Sequence, residues 1–369
     1  MHHSPQVHST GQSKMWQPKY LILVAVSLSV LACTVVGDGG GRPLVTAVTK
    51  DTATSLYAIP VKSGRPLVLD LSDPIVWSTC DDGAVHDTLE CNNIDCMRVH
   101  RFHPPSCPHT GYGMPDVQNP RCKCTAHPHN PVSGDTASGD MTRGLPAGAV
   151  GVAGLARSSL AFPAQVAGTQ GVANSFALCL SSGPGSGVAI FGGGPLFVLG
   201  QPISEMLGGS TPLRKYKDSP GYYIIASKGI AVDGAMERWG AAALRVPSPA
   251  APPFELCYNN SKLPQTRFGF FVPRISLILD GGTSWPVFGM NSVVRLNRAT
   301  ARLAFVEMKA GNKAGYYGDG AAPAVVIGGL QMENMLLVFD EEKQTLGFTA
   351  GQHLINGLSC GHFNFTMPA

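Results

Sequence analysis

An aspartate at the end of an apolar run is the residue of this sequence best placed to do chemistry. Asp70 follows the run Pro66–Leu69, and a second apolar run beyond Leu71–Pro74 ends at Trp77. This pattern predicts a buried strand, a tight turn that carries the carboxylate, and another strand. Such a carboxylate can hydrolyse a bond when a second one lies about 3 Å away, because the pair shares one proton and divides the roles of acid and base.

The C-terminal half offers no convincing second carboxylate. The Asp70 segment resembles the first active-site loop of aspartic proteases, and this resemblance implies a partner that follows an apolar run in the order Asp-Thr/Ser-Gly, where the glycine lets the chain turn tightly. Ser72 stands where the first motif would have this glycine, and a lone acid cannot run the reaction. The sequence therefore predicts that Asp70 is a retained acid, hydrogen-bonded inside its loop. The Asp-Gly pairs of the C-terminal half are instead typical of turns: Asp233-Gly234, Asp280-Gly281 and Asp319-Gly320.

The elements that must position this loop are short strands. Charged residues make up 14% of the chain, against ~25% in an average soluble protein. Glycine (44 residues) and proline (29 residues) are both abundant, which favours strands joined by tight turns in an all-β fold. A short helix is predicted at Ser159–Val166. Besides the extended stretch Ser55–Trp77, the predicted strands are Phe176–Leu180, Val188–Phe191, Tyr222–Ala226, Ile275–Leu279, Leu303–Met308, Ala324–Ile327 and Leu336–Phe339.

A similar sequence pattern in each half of the chain indicates two related lobes. Ala189–Gly193 and Val325–Gly329 are both apolar runs that end in a glycine pair, one in each half. The predicted organisation is a signal peptide in residues 1–40, an N-terminal lobe in 41–200 and a C-terminal lobe in 201–369. A cysteine-rich loop insert at 80–124 belongs to the first lobe.

The N-terminus and the charge predict export. Lys14 and Lys19 precede the apolar run Leu21–Ala32, which is followed by small residues, as in a secretory signal peptide. A membrane anchor is the competing interpretation, but the run falls short of the ~20 residues that span a bilayer. No other segment could cross one. The net charge of +3 without a basic stripe disfavours nucleic acid as a partner.

Cysteine usage fits an oxidising compartment. Six of the ten cysteines cluster in the insert, and disulfides there would pin long loops. A metal-binding module is the alternative, because histidines 109, 127 and 129 lie among these cysteines; disulfides are favoured, and we expect no metal or cofactor. Asn259 and Asn364 begin two glycosylation sequons. The clustered cysteines are Cys80, Cys91, Cys96, Cys107, Cys122 and Cys124, and the others beyond the signal are Cys179, Cys257 and Cys360.

From Asp51 to Cys360 the chain resembles the plant xylanase inhibitors of the aspartic-protease-like (TAXI) type. This resemblance implies a bilobal pepsin-like fold that keeps one catalytic aspartate, does not cleave peptides and inhibits microbial endoxylanases as a protein partner. It also implies an apoplastic location, and we expect a monomer. The matching segments are Asp51–Tyr57, Val76–Cys80, Asn130–Gly134, Gly151–Ala156, Gly187–Pro195, Ala304–Lys309 and Ala322–Gly329.

The resemblance also implies a target-binding residue. In this family a C-terminal loop carries a histidine between the two catalytic carboxylates of the xylanase, and His353 is the matching position, followed by Leu354 where an aromatic residue is common. An imidazolium there could donate two charge-assisted hydrogen bonds to carboxylates about 5–5.5 Å apart. The alternative is an exposed histidine without a role, one of eleven in the chain.

Three departures from the family concern the lobes. Residues 135–150 and 233–256 are too few for the strands expected there, including the flap hairpin of the first lobe and the second active-site loop. Arg302 stands where the family has a cysteine that partners Cys257, so Cys257 is expected to be the odd thiol. Cys179 and Cys360 are then expected to form a long-range disulfide.

Two other functions stay open at this point. The chain could be an active aspartic-type endopeptidase that uses Asp70, which would need a second carboxylate opposite it. It could also be an extracellular globulin-like protein that binds glycans or peptides and has no enzyme target.

Overall fold

The structure is a computed structural model. It describes residues 41–62, 64–80, 89–90, 93–100, 124, 126, 128–133, 141–183, 185–193, 197–198, 201–214, 223–233, 254, 256–307, 323–349 and 359–363.

Short strands dominate these residues, and the helices are few and short. The strands are β1 (Leu44–Lys50), β2 (Tyr57–Lys62), β3 (Arg65–Asp70), β4 (Val76–Ser78), β5 (Gly151–Gly154), β6 (Ser175–Cys179), β7 (Gly187–Phe191), β8 (Phe197–Val198), β9 (Gln201–Pro202), β10 (Gly209–Arg214), β11 (Ile224–Ile225), β12 (Ser227–Val232), β13 (Cys257–Asn259), β14 (Gln265–Thr266), β15 (Gly269–Phe270), β16 (Ile275–Leu279), β17 (Ser284–Val287), β18 (Val293–Arg295), β19 (Thr300–Leu303), β20 (Leu336–Asp340) and β21 (Thr345–Phe348). The helices are α1 (Ile94–His100), α2 (Phe162–Gln170), α3 (Ile203–Met206), α4 (Gly289–Ser292) and α5 (Gly329–Met332), with short 3-10 turns at Asn260–Lys262 and Cys360–His362.

One large sheet joins the two halves of the chain. Its strand order is β11-β10-β21-β20-β6-β7-β1-β2-β3-β5-β4. At its centre β20 pairs antiparallel with β6, from Leu336 opposite Cys179 to Asp340 opposite Ser175. On either side the hairpins β6–β7 and β20–β21 lead to β1 and β10, the first long strands of their halves. The prediction of an all-β protein with two related halves is confirmed.

Phenylalanines fill the core at this central contact. Phe176 lies opposite Phe339 in the β6–β20 register, and the two rings stack with their centroids 4.6 Å apart. Phe191 lies next to Phe176, and Trp285 packs against Phe348 from the C-terminal half. All these side chains are buried in one hydrophobic cluster that draws on both halves. Burial of aromatic area on this scale dominates core energetics, so the central sheet is the main stabilising element.

The predicted strands that lie in the central sheet were located well. Phe176–Leu180, Val188–Phe191 and Leu336–Phe339 correspond to β6, β7 and β20, whose residues are almost all buried. Continuous apolar runs are typical of strands covered on both faces, as these are. The predicted helix exists, but α2 begins at Phe162 rather than Ser159, with Pro163 in its first turn.

Two strand predictions in the C-terminal half were wrong or incomplete. The prediction for 303–308 overlaps β19 only at Leu303, and residues 304–307 lie outside any strand. Ala324–Ile327 forms no strand, because no described strand lies beside it to pair with its backbone. These segments are apolar, as a strand prediction requires, but a strand also needs a neighbouring strand that supplies hydrogen bonds.

Two disulfides are present among the described residues. Cys96 in α1 is joined to Cys124, and Cys179 at the end of β6 is joined to Cys360 near the C-terminus. Cys257 is a buried free thiol, as the sequence predicts. Within the part of the chain that the structure describes, no helix is long and apolar enough to cross a membrane.

Candidate functional site

The loop that carries Asp70 is set by the pairing of β3 with β5. These strands run parallel, with Leu67 opposite Gly151 and Asp70 opposite Gly154. The Asp70 carbonyl oxygen accepts a hydrogen bond of 2.7 Å from the Leu155 amide. Leu67 and Val68 are buried, so hydrophobic burial fixes the strand and leaves Asp70 at its half-buried end. The sequence-based placement of Asp70 at the end of a buried strand is therefore reproduced in the structure.

The Asp70 carboxylate is bound by its own loop. Its Oδ1 accepts hydrogen bonds from the Ser72 amide (2.8 Å) and from the Ser72 hydroxyl (2.6 Å). This is an Asx-type turn, in which a side-chain oxygen takes the place of a backbone acceptor. Ser72 is the residue that stands where a protease loop would have glycine. Its hydroxyl thus gives the Asp70 carboxylate a local structural partner.

A second acid of this loop, Asp73, was missed at the sequence level. It is 4% exposed, and both of its carboxyl oxygens accept hydrogen bonds, Oδ1 from the Ile75 amide (2.9 Å) and Oδ2 from the Trp77 indole nitrogen (3.2 Å). Burial, with a smaller contribution from the negative charge of nearby Asp70, raises the pKa of Asp73 to about 8, although the hydrogen bonds from Ile75 and Trp77 act to lower it. An aspartate before proline with a tryptophan four positions later could have signalled this turn.

Asp70 and Asp73 do not form the carboxylate pair of a peptidase. A catalytic dyad needs both carboxyl groups in contact with one water molecule at the substrate. The Asp73 carboxyl group is instead buried inside the loop, with each oxygen used by a loop donor. What this arrangement can do is hold the loop between β3 and β4 in one conformation.

Close backbone packing beneath the loop depends on the glycines of β5. A Cβ atom on Gly154 would come within 2.4 Å of the carbonyl oxygens of Ile75 and Asp73. A Cβ atom on Gly151 would lie 2.0 Å from the Trp77 carbonyl oxygen. No real side chain tolerates such distances, so these glycines let β4 and the Asp73 turn lie directly on β5.

A second polar cluster links the two halves of the chain. Glu333, which follows α5 and is 3% exposed, accepts hydrogen bonds from Lys50 Nζ (2.6 Å) and Tyr57 Oη (2.5 Å). Burial raises the pKa of Tyr57, and the hydrogen bond to Glu333 raises it further. Sequence reasoning missed this cluster because its partners lie 276 and 283 positions apart.

Another buried ion pair ties the end of β5 to the C-terminal hairpin. Arg157 Nε lies 3.1 Å from a carboxylate oxygen of Glu341, and the Arg157 guanidinium also donates to the Arg214 carbonyl oxygen. Tyr223, just before β11, donates to the Leu155 carbonyl oxygen at 2.7 Å. The strand beside Asp70 is therefore anchored from the second half of the chain.

Several predicted site residues lie outside the described residues. These are the target-binding residues His353 and Leu354, the sequon Asn364, the proposed signal segment, and Cys91, Cys107 and Cys122. Asn259 is described, and its side-chain oxygen accepts hydrogen bonds from the Ser261 amide and hydroxyl. Cys80 is half-buried just after β4.

The alternative metal module loses one of its ligands. Cys124 is bonded to Cys96, so it is not available as a thiolate. In the described portion of the chain, no group of three or more His, Cys, Asp or Glu side chains could hold a metal ion.

The β fold of two related halves and the aspartate loop after β3 define an aspartic-proteinase-like protein, and comparisons with known proteins agree. Residues 132–193 match a family model described as xylanase inhibitor N-terminal, and residues 230–350 match one described as xylanase inhibitor C-terminal. The chain belongs to this family of xylanase-inhibitor-like proteins with the pepsin-like fold.

Similar proteins carry several different names. A protein of Oryza sativa subsp. japonica named "Chitinase CLP" is 47% identical over 423 aligned positions, which cover 94% of this chain and 97% of that protein. "Probable aspartic proteinase GIP2" of Nicotiana benthamiana is 24% identical, with 95% of this chain and 98% of that protein covered.

Solved structures share the fold. The crystal structure of EDGP matches with a TM-score of 0.66 at 23% identity, over 90% of this chain and 100% of that chain. Basic 7S globulin from soybean matches with a TM-score of 0.63 at 22% identity, over 88% of this chain and 100% of that chain.

Proposed function

We propose that this protein is a secreted, proteolytically inactive member of the family that binds and inhibits microbial endo-1,4-β-xylanases in plant defence. The observation that carries the proposal is the state of the first loop. Asp70 is bound by Ser72, and the carboxyl group of Asp73 is enclosed by the donors of Ile75 and Trp77. A loop whose acids are engaged in this way suits a rigid binding scaffold better than a peptidase.

The target class is supported by the two family models, whose descriptions name xylanase inhibition. The extracellular location is supported by the signal-like segment in residues 1–40 and by the disulfides, which persist in oxidising compartments. A free apoplastic monomer or small assembly could then meet enzymes secreted by pathogens.

His353 is proposed as the residue that enters the xylanase cleft. It lies in the sequence between β21 and Cys360, and both ends of this stretch are attached to the central sheet. Thr349, which follows β21 directly, is only 1% exposed. At the other end, Cys360 is bonded to Cys179 of β6. Fixed ends lower the entropy cost of presenting a loop to a partner. An imidazolium would donate to both cleft carboxylates, so inhibition should weaken as rising pH removes its proton.

A panel of fungal and bacterial endoxylanases titrated with the purified protein at acid pH tests this proposal. We expect at least one enzyme to be inhibited by the wild type and much less by His353→Ala. His362→Ala is the matched control, because His362 is an exposed histidine a few residues further on. No inhibition of any enzyme by the wild type would refute the function, whereas equal inhibition by wild type and His353→Ala would refute only the assigned residue. Proteolysis at low pH that a transition-state mimic blocks would favour the endopeptidase alternative.

Hydrolysis of chitin is a second candidate, because the rice relative at 47% identity is named a chitinase. A glycosidase needs one protonated and one ionised carboxyl group. Asp70 is the carboxyl group to test, because it lies at the half-buried end of β3, whereas the Asp73 carboxyl group is enclosed by its loop donors. Release of sugars from chitin oligosaccharides by wild type, lost in Asp70→Asn, would support this candidate. No release by wild type would reject the candidate, and unchanged release by Asp70→Asn would reject Asp70 as one of its two carboxyl groups.

A further inference from the structure

The first sequon of the chain lies on a surface turn of the C-terminal half. Asn259 is the last residue of β13, and the short 3-10 turn that follows begins at Asn260. Ser261 and Lys262 are exposed, and so are residues 297–299, which lie against this turn at the tip of the β18–β19 hairpin. A bulky group attached at the turn would therefore find solvent around it.

The oxygen of the Asn259 side chain is held by the sequon itself. Asn259 Oδ1 accepts hydrogen bonds from the Ser261 amide (3.0 Å) and from the Ser261 hydroxyl (2.7 Å). This Asx-type arrangement caps the 3-10 turn. Both bonds end on the oxygen, so they fix the orientation of the side chain without using its nitrogen.

The nitrogen of the Asn259 side chain stays available. Within the described residues Asn259 Nδ2 donates to no acceptor, and it is not one of their enclosed polar atoms. A substituent on such a nitrogen displaces no hydrogen bond and creates no buried polar group. Asn259 therefore meets the steric and the hydrogen-bonding requirement for a modified amide.

Asn260 has the opposite role. Its backbone amide donates to the Ala299 carbonyl oxygen (2.8 Å), and its Nδ2 donates to the Arg298 carbonyl oxygen (3.1 Å). Its Oδ1 is enclosed. A substituent on this nitrogen would break the contact with the hairpin. The two neighbouring asparagines thus divide the work, because Asn260 fastens the turn and Asn259 presents an amide nitrogen at the surface.

We propose that Asn259 carries an N-linked glycan in the mature protein, an inference that rests on the export included in the proposed function. Ser261 completes the sequon two positions after Asn259, whereas Asn260 is followed at that spacing by a lysine. The donor is a lipid-linked oligosaccharide pyrophosphate. Asn259 Nδ2 forms a bond to the anomeric carbon of the first sugar and gives up one proton to the transferase. The bond between that carbon and the pyrophosphate breaks, and its electron pair leaves with the lipid pyrophosphate.

The glycan and the cap of the turn are compatible. The sugar replaces one hydrogen of Asn259 Nδ2, and the two bonds from Ser261 end on Oδ1. An aspartate at this position would offer the same capping oxygen, because Asn and Asp make the same Asx-type turns. It would lack the nitrogen that carries the sugar. Asn259→Asp therefore separates the modification from the cap.

Peptide mass spectrometry tests the proposal on the full chain, expressed with its own N-terminus in plant leaf cells and recovered from the extracellular fluid. The tryptic peptide of residues 246–262 contains this sequon and no other. Peptide N-glycosidase A in heavy-oxygen water converts a glycan-bearing asparagine to a labelled aspartate. We expect the label on Asn259 and none on Asn260. An unmodified Asn259 in exported protein would overturn the proposal and would show that the bonds from Ser261 serve only as a cap.

Three variants assign the site. Ser261→Thr keeps the sequon and should keep the glycan, whereas Ser261→Ala and Asn259→Asp should each make the protein lighter by one glycan. Asn259→Asp should have unchanged circular dichroism, because its turn stays capped. A glycan that persists on residues 246–262 of Asn259→Asp would refute the assigned residue.

Failure of this inference can be told from failure of the proposed function. A protein that carries the glycan on Asn259 but inhibits no xylanase would refute inhibition and leave the modification site in place. An exported inhibitor with an unmodified Asn259 would refute only the modification site. A chain that stays inside the cell without a glycan would refute export, and both proposals would fall with it.

Discussion

Cys257 and Arg302 lie directly opposite each other across β13 and β19. The flanking Leu303 amide donates to the Leu256 carbonyl oxygen at 3.0 Å, so Cys257 and Arg302 occupy a non-hydrogen-bonded pair, where opposed side chains are closest. The family resemblance implies a cysteine at position 302 that would bond to Cys257. In this chain the Arg302 guanidinium lies over the Phe254 ring.

Arg302→Cys should therefore close a disulfide with Cys257. Cross-linking these strands constrains the unfolded chain, and we expect a gain of about 2–4 kcal/mol in the free energy of unfolding under oxidising conditions. Thiol titration should find the Cys257 thiol lost, and the gain should vanish with reductant. Arg302→Ser is the control, and an Arg302→Cys protein that keeps both thiols would contradict the prediction.

Asp73 should make stability fall as pH rises. Burial raises its pKa from 3.8 to about 8. Between these values the folded chain keeps a proton that the unfolded chain has released. This contribution is thus fully present below pH 3.8 and is lost as pH rises through 8, with a slope of at most about 1.4 kcal/mol per pH unit.

Asp73→Asn mimics the protonated acid and should remove this slope. Urea unfolding followed by tryptophan fluorescence from pH 4 to pH 8 measures it, with the exposed Asp233→Asn as the control that keeps the slope. The same pH dependence in Asp73→Asn and wild type would show that another group is responsible.

Glu333 should be the costliest of the polar residues to remove. Glu333→Ala would leave the Tyr57 hydroxyl and the Lys50 ammonium without their shared acceptor in a largely buried place. Since breaking a buried pair costs 3–5 kcal/mol and Lys50 keeps some solvent contact, we expect a loss of about 3 kcal/mol.

The surface pair of Lys343 and Asp340 provides the comparison for Glu333. Lys343 is 78% exposed, and Lys343→Ala should change stability by less than about 0.5 kcal/mol. Equal effects of the two substitutions in thermal or urea unfolding would mean that the Glu333 cluster contributes no more than a surface pair.

The sequence carried enough information to find the central sheet. Both faces of the central sheet are covered, so its strands must be apolar at every position. This is seen directly in the residue types of Phe176–Cys179 and Leu336–Phe339. Val325 and Val326 satisfy the same pattern, yet they form no strand. Whether an apolar run forms a strand depends on a second segment that pairs with it, and the run itself carries no information about that second segment.

The candidate site was only half predictable for a related reason. Asp70 could be placed because the strand before it is local in sequence. The burial of Asp73 depends on the approach of β5, far along the chain, and the Glu333 cluster depends on residues from both halves. Contacts between segments that are distant in the sequence produce no pattern of residue spacing in a single sequence.

The pairing of β6 with β20 has a consequence for biosynthesis. The disulfide beside it joins cysteines separated by 181 positions, and β6 meets its neighbour only after almost the whole chain has been made. During synthesis, one edge of the fully apolar strand β6 therefore stays unpaired until the last part of the chain has been made. Folding is slow when contacts are this distant, and nascent apolar edges aggregate. Production of this protein should consequently depend on chaperones and disulfide isomerases more than production of a protein with two independent lobes would.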